Sequence, residues 1–155
     1  MALRNIVKDP DPLLRKKSRP VETFDKKLHL LLDDMRETMA KNDGVGLAAP
    51  QVGILRRAAV VEVGDFYVEL VNPEVLESEG EQIDVEGCLS INNYNCYVAR
   101  PERIKLRAQN RDGEFFELEC RDFIARACLH EMDHLDGILF KDKCYAELDF
   151  DEEQE

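Results

Sequence analysis

The stretch Asp122–Gly137, DFIARACLHEMDHLDG, decides how this chain is read. Nothing between Phe123 and Leu135 breaks a helix, Asp122 is a residue type that caps one, and Gly137 stands where a left-handed C-terminal residue is wanted. The stretch is a helix that closes a long run of strand signals. Just before it, Ile104, Leu106 and Ala108 alternate with polar residues, an NRDG turn follows, and EFFELEC returns, which predicts a hairpin with its polar faces outward. Further back, AAVVEV (58–63), the Gly64-Asp65 pair and FYVELV (66–71) predict another hairpin. A first helix precedes the strands. Leu28, Leu31, Leu32, Met35 and Met39 fall at helical spacing behind Asp25 as N-cap, Asn42, Asp43 and Gly44 supply the stop, and His29 lies off the apolar stripe, on the surface. Antiparallel strands with helices at both ends predict an α+β domain rather than alternating βαβ units.

Composition sets the outer limits. With 155 residues and 44% hydrophobic residues, the chain reads as one compact domain over 1–146 and an acidic, frayed tail over 147–155. The net charge is −12, and half of that excess lies in the tail, which carries six acids and no base. An acidic body excludes sequence-independent nucleic-acid binding and an anionic membrane surface as the main partner. No run of about 20 apolar residues spans a bilayer, and the start, MALRNIVKDPDP, lacks the features of a signal or transit peptide, so the expected compartment is the cytoplasm. Five cysteines without a CxxC pair disfavour a disulfide framework; Cys96, Cys120, Cys128 and Cys144 are read as small buried hydrophobes.

Three segments carry chemistry. His130-Glu131-Met132-Asp133-His134 is an HExxH pattern, whose i, i+4 spacing puts two imidazoles on one helix face with a carboxylate beside them. Such a pair holds a divalent ion, and the glutamate takes a proton from water activated there. A catalytic site of this kind needs a third protein ligand. No histidine follows His134, and the upstream candidate is Cys88 in VEGCLSI, a donor suited to Fe(II) or Zn. The third segment is GVGLAAPQVG (44–53). Its glycines let the backbone approach a ligand, and Gln51 offers an amide to a developing oxyanion; with no Lys after the glycines it fails as a phosphate loop. Each segment alone leaves a plainer alternative open: an exposed polar helix face, a packed core thiol, and a glycine-rich loop.

Taken together and in this order, GVGLAAPQ, EGCLS and HEMDH resemble the three signature motifs of the bacterial peptide deformylases, with a likeness running from NIVKDPDPLLRKKSRPV to GILF. The resemblance implies antiparallel β-sheets packed around a central HExxH helix, with an N-terminal amphipathic helix. It implies that Cys88, His130 and His134 hold the metal, Fe(II) in cells with Ni or Zn able to substitute, and that Glu131 is the general acid/base. Gln51 and the Leu89 N–H become the oxyanion donors, while Val45, Gly46 and Glu86 line or support the substrate site. The implied reaction removes formate from N-formyl-methionine on nascent chains: metal-activated water attacks the formyl carbon, and Glu131 passes the proton to the leaving amine. The partners implied are formylated nascent peptides, met by a monomer.

Three features depart from the pattern. Leu129 precedes HEMDH where a glutamine is common, and Ile91-Asn92-Asn93-Tyr94 stands where Ile-Pro-Gly usually follows EGCLS. The chain ends LDFDEEQE rather than in a basic helix, which gives ribosome docking by that route no support. Competing readings are a metallopeptidase, a cysteine hydrolase pairing Cys88 with His130, and a degenerate homologue that binds metal or formylated termini without turnover.

Overall fold

The computed structural model describes residues 2–147. Helix α1 spans Lys26–Lys41, and the Asp25 carboxylate accepts the Leu28 N–H at its start. Strands follow as β1 (Gly46–Ala48), β2 (Ala58–Val63), β3 (Phe66–Glu79), β4 (Gln82–Cys88), β5 (Ile91–Arg100), β6 (Arg103–Gln109) and β7 (Phe115–Arg121). Helix α2 covers Asp122–Leu135, and β8 covers Cys144–Glu147. The named strands pair antiparallel throughout, in a five-stranded sheet ordered β1-β2-β3-β6-β7 and a three-stranded sheet ordered β4-β5-β8. The class is α+β.

The period-2 alternation of β2 explains the layering. Ala58 and Val60 join the α1 stripe in one apolar cluster, whereas Val61 joins Leu70, Ile104, Leu106 and the α2 residues Ala125, Cys128 and Met132 in another. The two helices therefore cover opposite faces of the five-stranded sheet. The far faces of β6 and β7 stay wet, with Lys105 paired to Glu77 and Glu117, and Arg103 to Glu119. A third cluster, built from Leu14, Cys96, Val98, Leu139 and Phe140, backs the three-stranded sheet.

Several local expectations need correction. Asp122 does not cap α2: it is the first helical residue, at φ +54°, and its N–H is tied to Glu102 O, so Arg121 takes the cap position without a side-chain bond. The glycine-rich segment is not merely a loop, because β1 pairs with β2 and a 3-10 turn, Ala49–Val52, follows at once. Glu147 belongs to β8 and pairs with Cys96, so the boundary after 146 cuts a strand; the rest of the acidic segment lies outside the described residues. Cys144 is half-buried rather than buried, and His29 is half-buried against the Arg111 carbonyl. Gly137 does adopt the left-handed conformation, at φ +75°, where a Cβ would strike Arg15 O.

Candidate metal centre and peptide cleft

Helix α2 lies between the two sheets and carries His130, Glu131 and His134, which are 8%, 4% and 1% exposed. Cys88, at the end of β4, faces it from the three-stranded sheet. The candidate ligand atoms of Cys88, His130 and His134 all lie within 4.8 Å of one another, and Cys88 Sγ is 3.4 Å from His134 Nε2. Ligands on one tetrahedral ion, with bonds near 2.1 Å to nitrogen and 2.3 Å to sulfur, stand about 3.6 Å apart. The spacing fits a shared divalent ion.

The electrostatics fit as well. Burial, the neighbouring His130 and Arg100 hold His134 well below its ordinary pKa, which keeps it the neutral imidazole a metal requires, and its Nδ1 has no partner among the described residues. Burial also pushes His130 down, but its neighbours Glu131, Cys88 and Glu86 outweigh it and raise its pKa to about 10. That spot favours positive charge. His130 Nδ1–H donates to Glu86 Oε1 at 2.8 Å, which leaves Nε2 as the nitrogen free to ligate.

Glu86 is the hub of a buried ionic network. Arg100 grips it with Nε and Nη2 at 2.5 and 2.9 Å, Arg126 Nη1 reaches Oε2 at 2.5 Å, and Arg100 Nη1 continues to Asp133 at 3.0 Å. Burial pushes the Glu86 carboxyl up, yet Arg100 and His130 more than compensate and hold it at about 2. Glu131 goes the other way: burial, reinforced by Glu86, raises it to about 7 against the opposing pull of His130. A carboxyl poised there can both take and return a proton near neutral pH.

Beside these residues opens a cavity of about 320 Å³. Val45, Gly46, Gln51, Glu86, Cys88, Leu89, His130 and Glu131 all line it, whereas His134, in contact with Cys88, does not. Phe123 and Val85, both well exposed, form part of its apolar wall. Gln51 is 1% exposed, and its amide is fixed at both ends: Oε1 accepts the Ala48 N–H at 3.0 Å, and Nε2 donates to Ser90 Oγ at 3.1 Å and towards Cys88 Sγ at 3.5 Å. Gly46 is required by its neighbour, since a Cβ there would lie 2.4 Å from Glu131 Oε2.

Sequence reading brought these nine residues together but missed Arg100, Arg126, Asp133 and Ser90. The one available signal was on α2, where Arg126 and Asp133 lie four residues before and three after His130, on the same helix face. Arg100, at the far end of β5, gave no such signal.

A model of the polypeptide deformylase family matches residues 3–148. A peptide deformylase of Alkaliphilus metalliredigens is 53% identical over 147 residues, covering 95% of this chain and 100% of its own. The crystal structure of peptide deformylase from Thermotoga maritima superposes with a TM-score of 0.90 at 43% identity, over 92% of this chain and 97% of that one. A Met-Ala-Ser-bound class I type b peptide deformylase from Acinetobacter baumannii superposes with a TM-score of 0.86 at 34% identity, over 91% of this chain and 98% of that one.

Proposed function

Since the chain belongs to the peptide deformylase family, metal-dependent hydrolases that remove the formyl group from N-formyl-methionine of nascent polypeptides, we propose that Cys88, His130 and His134 hold its metal and that Glu131 moves the proton. A Cys/His/His donor set suits Fe(II), with Ni or Zn as substitutes, and the ion would supply Lewis acidity that acidifies water and polarises the formyl carbonyl. Glu131, buried beside the ligands, takes the proton of the attacking water and returns it to the amine that leaves as formate departs. Gln51 Nε2 and the Leu89 N–H donate to the formyl oxygen as negative charge builds on it. Because Gln51 is already fixed by Ala48 and Ser90, little reorganisation is needed at that moment, and removing one such donor typically costs about 2.7–4 kcal/mol.

The methionine side chain enters the cavity between Val45, Val85, Phe123 and Ala127. Strand β1 lies at the edge of its sheet, so the backbone at Val45 and Gly46 is placed to pair with an extended peptide. The body through β8, which Glu147 completes, acts as one catalytic domain and as a monomer, with the acidic residues after it dispensable and not a ribosome-docking element. No helix among the described residues is long and apolar enough to cross a membrane.

The observation that carries this reading is the convergence of Cys88, His130 and His134 within 4.8 Å, with Glu131 on the wall of the same cavity. The test is formate release from a formyl-Met peptide by the metal-loaded protein and by Glu131→Gln. The expected outcome is full metal occupancy in the variant with turnover reduced roughly 10²–10⁴-fold; near wild-type turnover would remove Glu131 from the mechanism. A chelator abolishes activity in this reading, whereas an enzyme using Cys88 as nucleophile would ignore it.

A further inference from the structure

Residues 7–9 tie together the two segments that carry the oxyanion donors. Val7 N–H donates to Gln51 O at 2.7 Å, and Asp9 N–H donates to Ser90 O at 2.8 Å. Between them the Lys8 ammonium donates to Leu89 O at 2.7 Å and to Asn92 Oδ1 at 3.2 Å. The tied segments belong to different sheets: Gln51 follows β1 of the five-stranded sheet, and Leu89 lies in the turn between β4 and β5 of the three-stranded one. The direct bonds from Gln51 to this turn run only through its side chain, to Ser90 Oγ and Cys88 Sγ. The main-chain link between the two donors runs through residues 7–9.

Resting on the reading of Gln51 and the Leu89 N–H as oxyanion donors, we propose that Lys8 is a positioning residue for deformylation, which fixes the Leu89 peptide at a set spacing from Gln51. The N–H and the carbonyl of Leu89 flank one Cα. Anchoring that carbonyl through Lys8, and the next one through Asp9, restricts the torsions that aim the N–H. Oxyanion stabilisation depends on donors that are in place before charge develops, so loosening this turn weakens the transition state more than the ground state.

Two features set this lysine apart from an ordinary surface ion contact, which is worth little. It serves two acceptors at once, and its neighbours on both sides are held by backbone hydrogen bonds, so its own position is restricted before it bonds. The second acceptor comes from the altered rim of this chain. Asn92 supplies a side-chain oxygen where the Ile-Pro-Gly pattern would place a proline, which has none. Lys8 makes no bond to the metal ligands or to Glu131, and therefore acts through Leu89.

The experiment compares kcat and KM for the metal-loaded protein, Lys8→Met, Lys8→Arg, Asn92→Ala and the Lys8→Met/Asn92→Ala pair on a formyl-Met tripeptide. Lys8 and Asn92 are exposed, so the substitutions leave the core untouched. The expected result for Lys8→Met is a kcat lowered about tenfold, or about 1.4 kcal/mol of barrier, with KM and melting temperature unchanged. Lys8→Arg restores most of the loss, Asn92→Ala costs about threefold, and the double variant is no slower than Lys8→Met, because both changes disable one clamp. A kcat reduced less than about threefold by Lys8→Met, a loss carried by KM, or a double variant whose losses simply multiply would overturn the proposal. Gln51→Leu run alongside separates two failures: turnover lost there but kept in Lys8→Met sinks the clamp alone, whereas turnover kept in Gln51→Leu sinks the oxyanion reading beneath it.

Discussion

Replacing Glu86 by glutamine keeps the shape of the side chain and removes the one negative charge that two buried guanidinium groups share. Arg100 and Arg126 have side chains only 3% exposed. After the change Arg100 retains Asp133 at 3.0 Å, but Arg126 keeps only the Gln82 carbonyl at 3.3 Å, and its Nε already has no partner among the described residues. Removing one partner of a buried ion pair costs roughly 3–5 kcal/mol. Glutamine still offers one acceptor oxygen and Asp133 still faces Arg100, so the low end applies, about 3 kcal/mol. For a chain of this size that lowers the melting temperature by roughly 6–12 °C, from a total stability of about 5–15 kcal/mol, and the variant still folds. A second effect reaches the metal. His130 Nδ1 loses its anionic acceptor, and loss of such a partner typically weakens metal affinity by about 10–100-fold. Thermal unfolding followed by circular dichroism at pH 7, with metal in excess to equalise occupancy, measures the first effect; chelator competition measures the second. Adding Arg126→Met to Glu86→Gln removes the stranded cation and is expected to recover part of the lost melting temperature. A melting temperature within about 2 °C of the parent, or an unchanged chelator midpoint, would refute the role of Glu86 as hub.

Two further expectations test other parts of the structure. Gly46→Ala places a methyl group 2.4 Å from Glu131 Oε2, and a carboxylate only 4% exposed has no room to retreat, so kcat/KM is expected to fall by roughly 10²-fold while stability drops by about 1–3 kcal/mol; an active Gly46→Ala enzyme would show that Glu131 is not held where the site needs it. Away from the site, burial pushes Glu69 up, but Arg111, 2.6 Å away, and the Tyr67 hydroxyl at 2.7 Å bring it below its ordinary 4.5. A carboxylate depressed by folding contributes stability that is present above the unfolded value and is lost as pH falls through the folded one. The melting-temperature gap between the parent and Glu69→Gln is therefore expected to narrow as pH drops below 4.5, and a gap that stays constant from neutral pH into that acid range would contradict the pairing.

The departures noted in the sequence take on physical meaning in the fold. Leu129 packs on the cluster that holds Ile104, Leu106 and Cys128, so the position before His130 adds apolar contact there. Asn92, on the altered rim, becomes an acceptor for Lys8. Neither change touches the three candidate ligands, and the cavity beside them stays open.

The amino-acid sequence alone determined what is local and periodic. The α1 stripe with its Asp25 cap, the two hairpins around Gly64-Asp65 and Asn110–Gly113, and the i, i+4 imidazoles of His130 and His134 all follow from spacings of two or about 3.6 residues. Cys88 and Gln51, the proposed third ligand and oxyanion donor, were legible from motifs, because they lie in short segments whose composition is distinctive. Tertiary structure alone decided how distant segments meet. Glu86, Arg100, Arg126 and Asp133 form one network across two strands and a helix, and Lys8 closes on Leu89 from 81 residues away. The same holds for β1, a three-residue strand too short to show a period, which exists because β2 offers an open edge, and for Asp122, drawn out of its cap role by a bond to Glu102. Contacts of this kind depend on which groups burial forces to find partners, and that is set by the packed sheets and helices together rather than by any stretch of neighbours along the chain.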